Sequence, residues 1–145
     1  MMRETLFRGK RRRGGEWVEG YLEQYYSSDG CRRLYCYITK WGKSMHVVDP
    51  DTVGQFTGRF DKHGKQIFDG DILRCFLGDR IDTGVVQYDD RIAAYIVLFA
   101  DGCLTFLDFF TAKVETWYEV IGNIHDNDKP DFLKEGDTDG KERTE

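Results

Sequence analysis

Proline is scarce in this 145-residue chain, with 2 residues against 16 glycines. Proline-rich linkers and collagen-like repeats are therefore excluded, and tight turns fall to glycine at positive φ. Long apolar runs are missing as well. The longest, Ile92 to Ala100, covers nine residues, less than half of the ~20 that a membrane-spanning helix takes, so no transmembrane helix is expected. The basic N-terminus is followed by no apolar stretch, and a secretory signal is not expected. Cysteine occurs without any Cys-x-x-Cys pair: Cys31, Cys36, Cys75 and Cys103 are scattered, as are His46, His63 and His125. This spacing supports neither a zinc site nor a disulfide framework, and four reduced thiols in a cytoplasm are the expectation. Cys31 adjoins a turn and should be exposed, whereas Cys36, Cys75 and Cys103 lie in apolar stretches where a thiol packs as a small hydrophobe.

Catalytic signatures are also lacking. There is no GxSxG elbow and no GxxxxGK[ST] loop. The carboxylate pairs Asp49/Asp51 and Asp69/Asp71 have the spacing that caps and Asx turns use, with no third ligand prescribed. Lys65 falls where an EF-hand would need an oxygen ligand. Ser44, His46 and Asp49 cluster in sequence only, and a nucleophile with its base and orienter has to meet in three dimensions. The sequence therefore predicts no enzyme, with no catalytic residue, metal site or cofactor.

What is present is charge, unevenly placed, and aromatic side chains. The chain has 21 Lys and Arg against 26 Asp and Glu, a net of −5, and 14% aromatic residues. Met1 to Arg13 carries +5, the segment from Asp126 onward −4, and the 112 residues between them −6. The last segment has only Phe132 and Leu133 as large apolar residues, too few to offset its ordering entropy. A folded domain over residues 1–125 and a flexible acidic tail over 126–145 are expected.

Short runs rich in Val, Ile, Tyr, Phe and Trp recur between glycine-containing turns. Eight strands are read from them: Glu16–Leu22, Leu34–Lys40, Met45–Val48, Ile72–Leu77, Gly84–Tyr88, Ala93–Ala100, Leu104–Phe109 and Thr116–Ile121. Their length and borders are those of β-strands, and no segment holds helical spacing across three turns. Ala93–Ala100 is apolar on both faces and should be central. In Leu34–Lys40, by contrast, Leu34, Cys36 and Ile38 alternate with Tyr35, Tyr37 and Thr39, which predicts a semi-exposed aromatic face. Asp101-Gly102 predicts a two-residue hairpin. Asp49 as cap, Pro50 at the first position and Gly54 as stop predict one helical turn near Asp49–Val53. Between that turn and Asp69-Gly70-Asp71, Gln55-Phe56-Thr57 and Gln66-Ile67-Phe68 read as two further short strands around a turn at Asp61–Lys65. The fold class is all-β: a barrel, pseudo-barrel or pair of packed sheets.

The stretch from Val48 to Asp71, VDPDTVGQFTGRFDKHGKQIFDGD, resembles the YopX protein family of phages and prophages. It follows that family's DPxTVGQFTGxxDKNGKxIYEGDI-like pattern, with His63 for Asn and Phe68-Asp69 for Tyr-Glu. Further matches are Leu6-Phe7-Arg8-Gly9-Lys10, Gly15 to Gly20, Gly84 to Tyr88 and Val120 to His125. The resemblance implies a predominantly β, barrel-like protein encoded by phage or prophage DNA and resident in the cytoplasm of a bacterial host. It supplies no reaction and no catalytic residue.

Three sets of residues are candidates for binding. Arg8, Lys10, Arg11, Arg12 and Arg13 form the one concentrated positive patch, able to release counterions from phosphates. Asp49, Thr52, Gln55 and Thr57 are small polar side chains within the motif that could converge on a partner, although turn chemistry accounts for the same residues. Trp17, Tyr21, Tyr35 and Tyr37 could form an exposed apolar patch for self-association, and Tyr21, Tyr25, Tyr26, Tyr35 and Tyr37 could offer stacking faces to a nucleic acid. The leading expectation is a non-enzymatic accessory protein that binds a host or phage protein or a second copy of itself. The alternative is a nucleic-acid-binding module, opposed by the −6 of the central segment unless charges are segregated. No membrane partner is expected.

Overall fold

In the computed structural model, residues 4–40, 42–107 and 116–126 are described. They form eleven strands, numbered β1 to β11, and one 3-10 turn: β1 Phe7–Lys10, β2 Trp17–Tyr26, β3 Leu34–Thr39, β4 Met45–Val48, the turn Pro50–Thr52, β5 Gly54–Phe60, β6 Gln66–Phe68, β7 Asp71–Leu77, β8 Arg80–Asp89, β9 Ala94–Phe99, β10 Leu104–Phe106 and β11 Thr116–Asn123. The all-β expectation holds, as two antiparallel sheets rather than a closed barrel. More strands form than the eight read from apolar runs. β5 and β6 are those read inside the motif, and β1 was missed because Phe-Arg-Gly-Lys carries one apolar residue. The chain divides into two units, Met1–Arg59 and Phe60–Glu145. The expected acidic tail lies, from residue 127 onward, outside the described residues.

The first unit has the strand order β4-β3-β2-β1-β5. β2 serves two partners in succession: Trp17–Gly20 pairs with β1, and Tyr21–Tyr26 pairs with β3. The sheet curls, because Arg11 bridges to Val48 and the Asp49 amide donates to the Lys10 carbonyl at 2.8 Å, returning the end of β4 to the end of β1. One side of this pseudo-barrel is apolar, with Cys36, Ile38 and Val48 buried and Phe7, Val18 and Leu22 packed against them. Full burial of a side chain such as Ile38 contributes about 1.5–3 kcal/mol. The alternation in β3 is as read: Cys36 and Ile38 are buried, while Tyr35, Tyr37 and Thr39 are half-buried on the opposite side.

The second unit carries the order β10-β9-β8-β7-β11. Its core is Ile67, Leu73, Cys75, Val86, Val97, Leu107 and Tyr118. β9 is interior to the sheet and buries Ile96 and Val97 on its two faces, as its apolar run predicted. The hairpin after it differs from the expectation. Phe99 pairs with Cys103 and Gly102 donates to the Phe99 carbonyl at 3.1 Å with φ of 82°, so the loop has three residues, Ala100 to Gly102, in the turn-plus-bulge form. That extra residue puts Cys103 at an exposed hairpin position, correcting its assignment to the interior. Cys31 is exposed and Cys36 and Cys75 are buried, as read.

Candidate functional site

The motif from Val48 to Asp71 is spent on holding the backbone. Asp49 Oδ1 accepts from the Asp51 amide at 3.1 Å and caps the 3-10 turn. The Thr52 hydroxyl donates to the Asp49 carbonyl at 2.7 Å and accepts from the Lys10 amide at 2.9 Å, tying the turn to β1. Thr57 is buried and its hydroxyl accepts from the Arg59 amide at 3.1 Å. Gln55 sits half-buried opposite Phe7. Of this set, Thr52 and Thr57 are buried and Asp49 and Gln55 half-buried.

Farther along, Asp61 organises the next turn. Its carboxylate accepts from the amides of His63 at 2.8 Å, Lys65 at 2.9 Å and Val120 at 3.0 Å. Burial pushes the Asp61 pKa up, but these three donors outweigh it and hold the group below its ordinary value. Asp71, buried, accepts from the Phe68 amide at 2.8 Å. Among the described residues, no group of three His, Cys, Asp or Glu is placed to hold a metal ion.

The other two candidate sets meet on one surface. In a strand, alternate residues share a face. Trp17, Glu19, Tyr21, Glu23 and Tyr25 of β2 thus oppose Val18 and Leu22, which face the core. Registers across the sheet put Lys10 opposite Trp17, Arg8 opposite Glu19, Tyr37 opposite Glu23 and Tyr35 opposite Tyr25. The outer face of the first sheet is therefore a field of aromatic rings edged with cations. Lys10 Nζ stands 5.6 Å from the Trp17 ring centre, and the Arg12 guanidinium 5.6 Å from that of Tyr35. Tyr25 and Tyr37 meet edge to face at 5.7 Å. The Tyr25 hydroxyl donates to Glu23 at 2.7 Å, and that hydrogen bond, helped by the Glu23 charge, raises the Tyr25 pKa. Tyr21 and Tyr25 are each about half exposed, at 51% and 52%.

The five clustered cations have separate fates. Arg8 is buried with its guanidinium 4.8 Å from the Trp17 ring centre. Arg11 is ion-paired to Glu16 at 3.0 Å across the β1–β2 turn. Lys10 and Arg12 lie over rings, and Arg13 is exposed in that turn. Sequence reasoning missed Arg32, which sits at φ 48° in the β2–β3 loop with its guanidinium 5.8 Å from the Tyr26 ring centre. The nearby Asp29-Gly30 turn was the available signal for it.

The unit boundary also redistributes charge. Residues 1–59 contain eleven Lys and Arg against seven Asp and Glu, net +4, whereas residues 60–145 contain ten against nineteen, net −9.

A second cluster, not foreseen, lies on β7 and β11. Phe76 and Trp117 stack with ring centres 3.4 Å apart, and Lys62 Nζ lies 3.5 Å from the Trp117 centre. Glu119 receives Arg74 at 3.0 Å, His63 at 3.2 Å and Lys62 at 3.9 Å. Lys62, Arg74 and His63 share this one carboxylate, which ties β7 and β11 to the Asp61 turn.

A YopX protein family model matches residues 6–134. The chain belongs to the YopX family. The crystal structure of protein EF1440 from Enterococcus faecalis resembles this YopX protein with a TM-score of 0.51 and 22% sequence identity, over 86% of this chain and 95% of that one. The likeness extends to the fold. No curated protein matches the sequence. The family motif and the aromatic face are thus separate features: Asp49, Asp61 and Asp71 bond backbone amides within the motif, and the exposed Tyr21 and Tyr25 lie on β2.

Proposed function

We propose that this YopX protein is a non-enzymatic binding module, a phage- or prophage-encoded accessory protein working in the bacterial cytoplasm, and that the outer face of β1, β2 and β3 is its binding surface. The observation that carries this reading is the joint placement of Trp17, Tyr21, Tyr25, Tyr35 and Tyr37 on the side of the sheet opposite its core, with Lys10 and Arg12 over the rings. Rings left half exposed forgo burial worth about 25 cal/mol per Å², and a ligand that covers them recovers it. The motif carboxylates, engaged with backbone amides, favour a scaffold role over acid–base chemistry.

The test is capture from host extract by the immobilised intact chain, run in parallel with Tyr21→Ser, with Tyr25→Ser and with Ile81→Ser, a change at an exposed residue of the second unit. A ligand held by the parent and by Ile81→Ser and released by both tyrosine variants supports the face. Equal capture by all four proteins overturns it. Light scattering on the same variants reports whether the ligand is a second copy of the chain.

A further inference from the structure

We infer that the occupant of this face is a single-stranded nucleic acid. The inference rests on the proposed reading of the outer face as the binding surface and adds the class of ligand. Three features of the face select that class. Trp17, Tyr21 and Tyr25 recur every fourth residue along one side of β2, about 13 Å apart at ~3.3 Å per residue, a row of rings rather than one pocket, with Arg8 and Lys10 over the first and the other two half exposed. Bases stack on aromatic faces irrespective of sequence, which a row of this kind uses and a single buried anchor does not.

The cations are the second feature. Lys10 over Trp17 and Arg12 over Tyr35 each bring a positive charge to within 6 Å of a ring. A nucleotide stacked on such a ring has its phosphate within reach of the adjacent cation, so one element supplies both parts of the recognition. Glu19 and Glu23 lie between the rings on β2, and their carboxylates repel phosphate. The sugar–phosphate path therefore runs along the Lys10 and Arg12 side, and the carboxylates are left to accept from base N–H groups.

The third feature is the field. The unit that carries the rings is +4, and the rest of the chain is −9. A second copy docking the same face would bring like charge against like, whereas a polyanion is attracted. Duplex is disfavoured, because its bases are already stacked and present no free planes to the tyrosines.

Fluorescence anisotropy with the intact protein decides the matter. The probes are a labelled mixed-sequence 15-mer DNA strand, the RNA strand of the same sequence, and the DNA duplex. Both single strands are expected to bind, which leaves the choice of sugar to their ratio, and the duplex at least tenfold more weakly. With two cations engaged at ~0.7 counterions each, a tenfold rise in salt weakens binding about 25-fold. Tyr21→Ser and Tyr25→Ser should each weaken it about fivefold or more, Arg12→Gln should flatten the salt dependence, and Ile81→Ser should change neither. Absence of single-strand binding at low salt, equal affinity for duplex, or unchanged affinity of both tyrosine variants overturns the inference. Nuclease treatment of the captured extract then separates the two levels. A nuclease-resistant ligand lost from the tyrosine variants leaves the face standing with a protein occupant, and equal capture by every variant removes the face as well.

Discussion

The Val120 amide donates to the Asp61 carboxylate at 3.0 Å across 59 residues of sequence. Asp61 sits in the Asp-Lys-His-Gly-Lys turn of the family motif, and Val120 opens the Val-Ile-Gly-Asn-Ile-His segment that also matches the family. Neighbouring bonds run the same way: the Lys62 amide donates to the Tyr118 carbonyl at 3.1 Å and the Ile124 amide to the Gly70 carbonyl at 3.0 Å. The two most recognisable stretches of the sequence are thus one structural joint, which gives the pattern a physical reason unconnected with ligand.

Asp61→Ala leaves three backbone donors without their acceptor, two of them closing the turn and one on β11. A hydrogen bond to a charged group contributes about 1.5–3 kcal/mol, and the three share one carboxylate, so a total loss of about 2–4 kcal/mol is expected. At this chain length that lowers the melting temperature by roughly 5–15 °C. Urea denaturation followed at Trp fluorescence checks it. A loss below 1 kcal/mol would show that water replaces the carboxylate without penalty.

The same group gives the fold an acid-sensitive term. Its folded pKa is depressed, so the unfolded chain binds the proton more readily, and stability from Asp61 is complete above the unfolded value of about 3.9 and is lost as pH falls through the lower folded value. The difference between the parent and Asp61→Asn should therefore be constant from pH 7 to about 5 and shrink on going down to pH 2. Urea midpoints for both proteins across that range measure the trend. A difference that persists unchanged at pH 2 would mean that the ionised form adds nothing.

Local pattern made much of this legible, and pairing made up the rest. Tyr35, Tyr37 and Thr39 could be assigned to an outer face because strand alternation is a property of consecutive residues. β1 could not, since Arg8-Gly9-Lys10 becomes a strand only by pairing with Trp17–Gly20, and Gly9 lies where a Cβ would press on the Val48 and Ile38 side chains. The hairpin at Asp101-Gly102 was located correctly, but its loop length is set by the Phe99–Cys103 pair. The candidate site shows the same division. Arg12 and Tyr35 were each noticed, under rival hypotheses, and only the return of β4 to β1 brings them together. Charge counted along the chain gave a basic arm and an acidic body, whereas Arg32, Arg33, Lys40 and Lys43 fold into the unit of the arm and make it cationic as a whole.

Gly20 is the point where β2 changes partners. A Cβ there would run into the Thr39 carbonyl oxygen and crowd the Lys40 amide, both backbone atoms that cannot rotate away. Gly20→Ala should therefore cost about 1–3 kcal/mol, in the range of overpacked cores, and should loosen the Tyr21–Thr39 register first. Hydrogen exchange read by mass spectrometry should show lost protection across β2 and β3, with β7 to β9 unchanged. Unaltered protection at Tyr21–Tyr26 would mean that the strands separate at no cost.

The four thiols provide a reporter for each core. Cys31 and Cys103 are exposed and should react with a thiol reagent in the native protein, while Cys36 and Cys75 are buried and should wait for unfolding. Cys103 should react more slowly than its exposure alone implies, because its hydrogen bond to Asp101 and that carboxylate's charge raise its pKa and lower its thiolate fraction. Burial pushes the Cys75 thiol up to about 12, so neutral pH leaves it protonated as well as shielded. In a Cys31→Ser/Cys103→Ser background, labelling of Cys36 reports opening of the first unit and labelling of Cys75 opening of the second. Asp61→Ala should lower the urea concentration at which Cys75 labels, and Gly20→Ala that for Cys36. Mass spectrometry of the labelled peptides gives both midpoints in one titration, and native labelling of either buried thiol as fast as Cys31 would overturn the assignment of the cores.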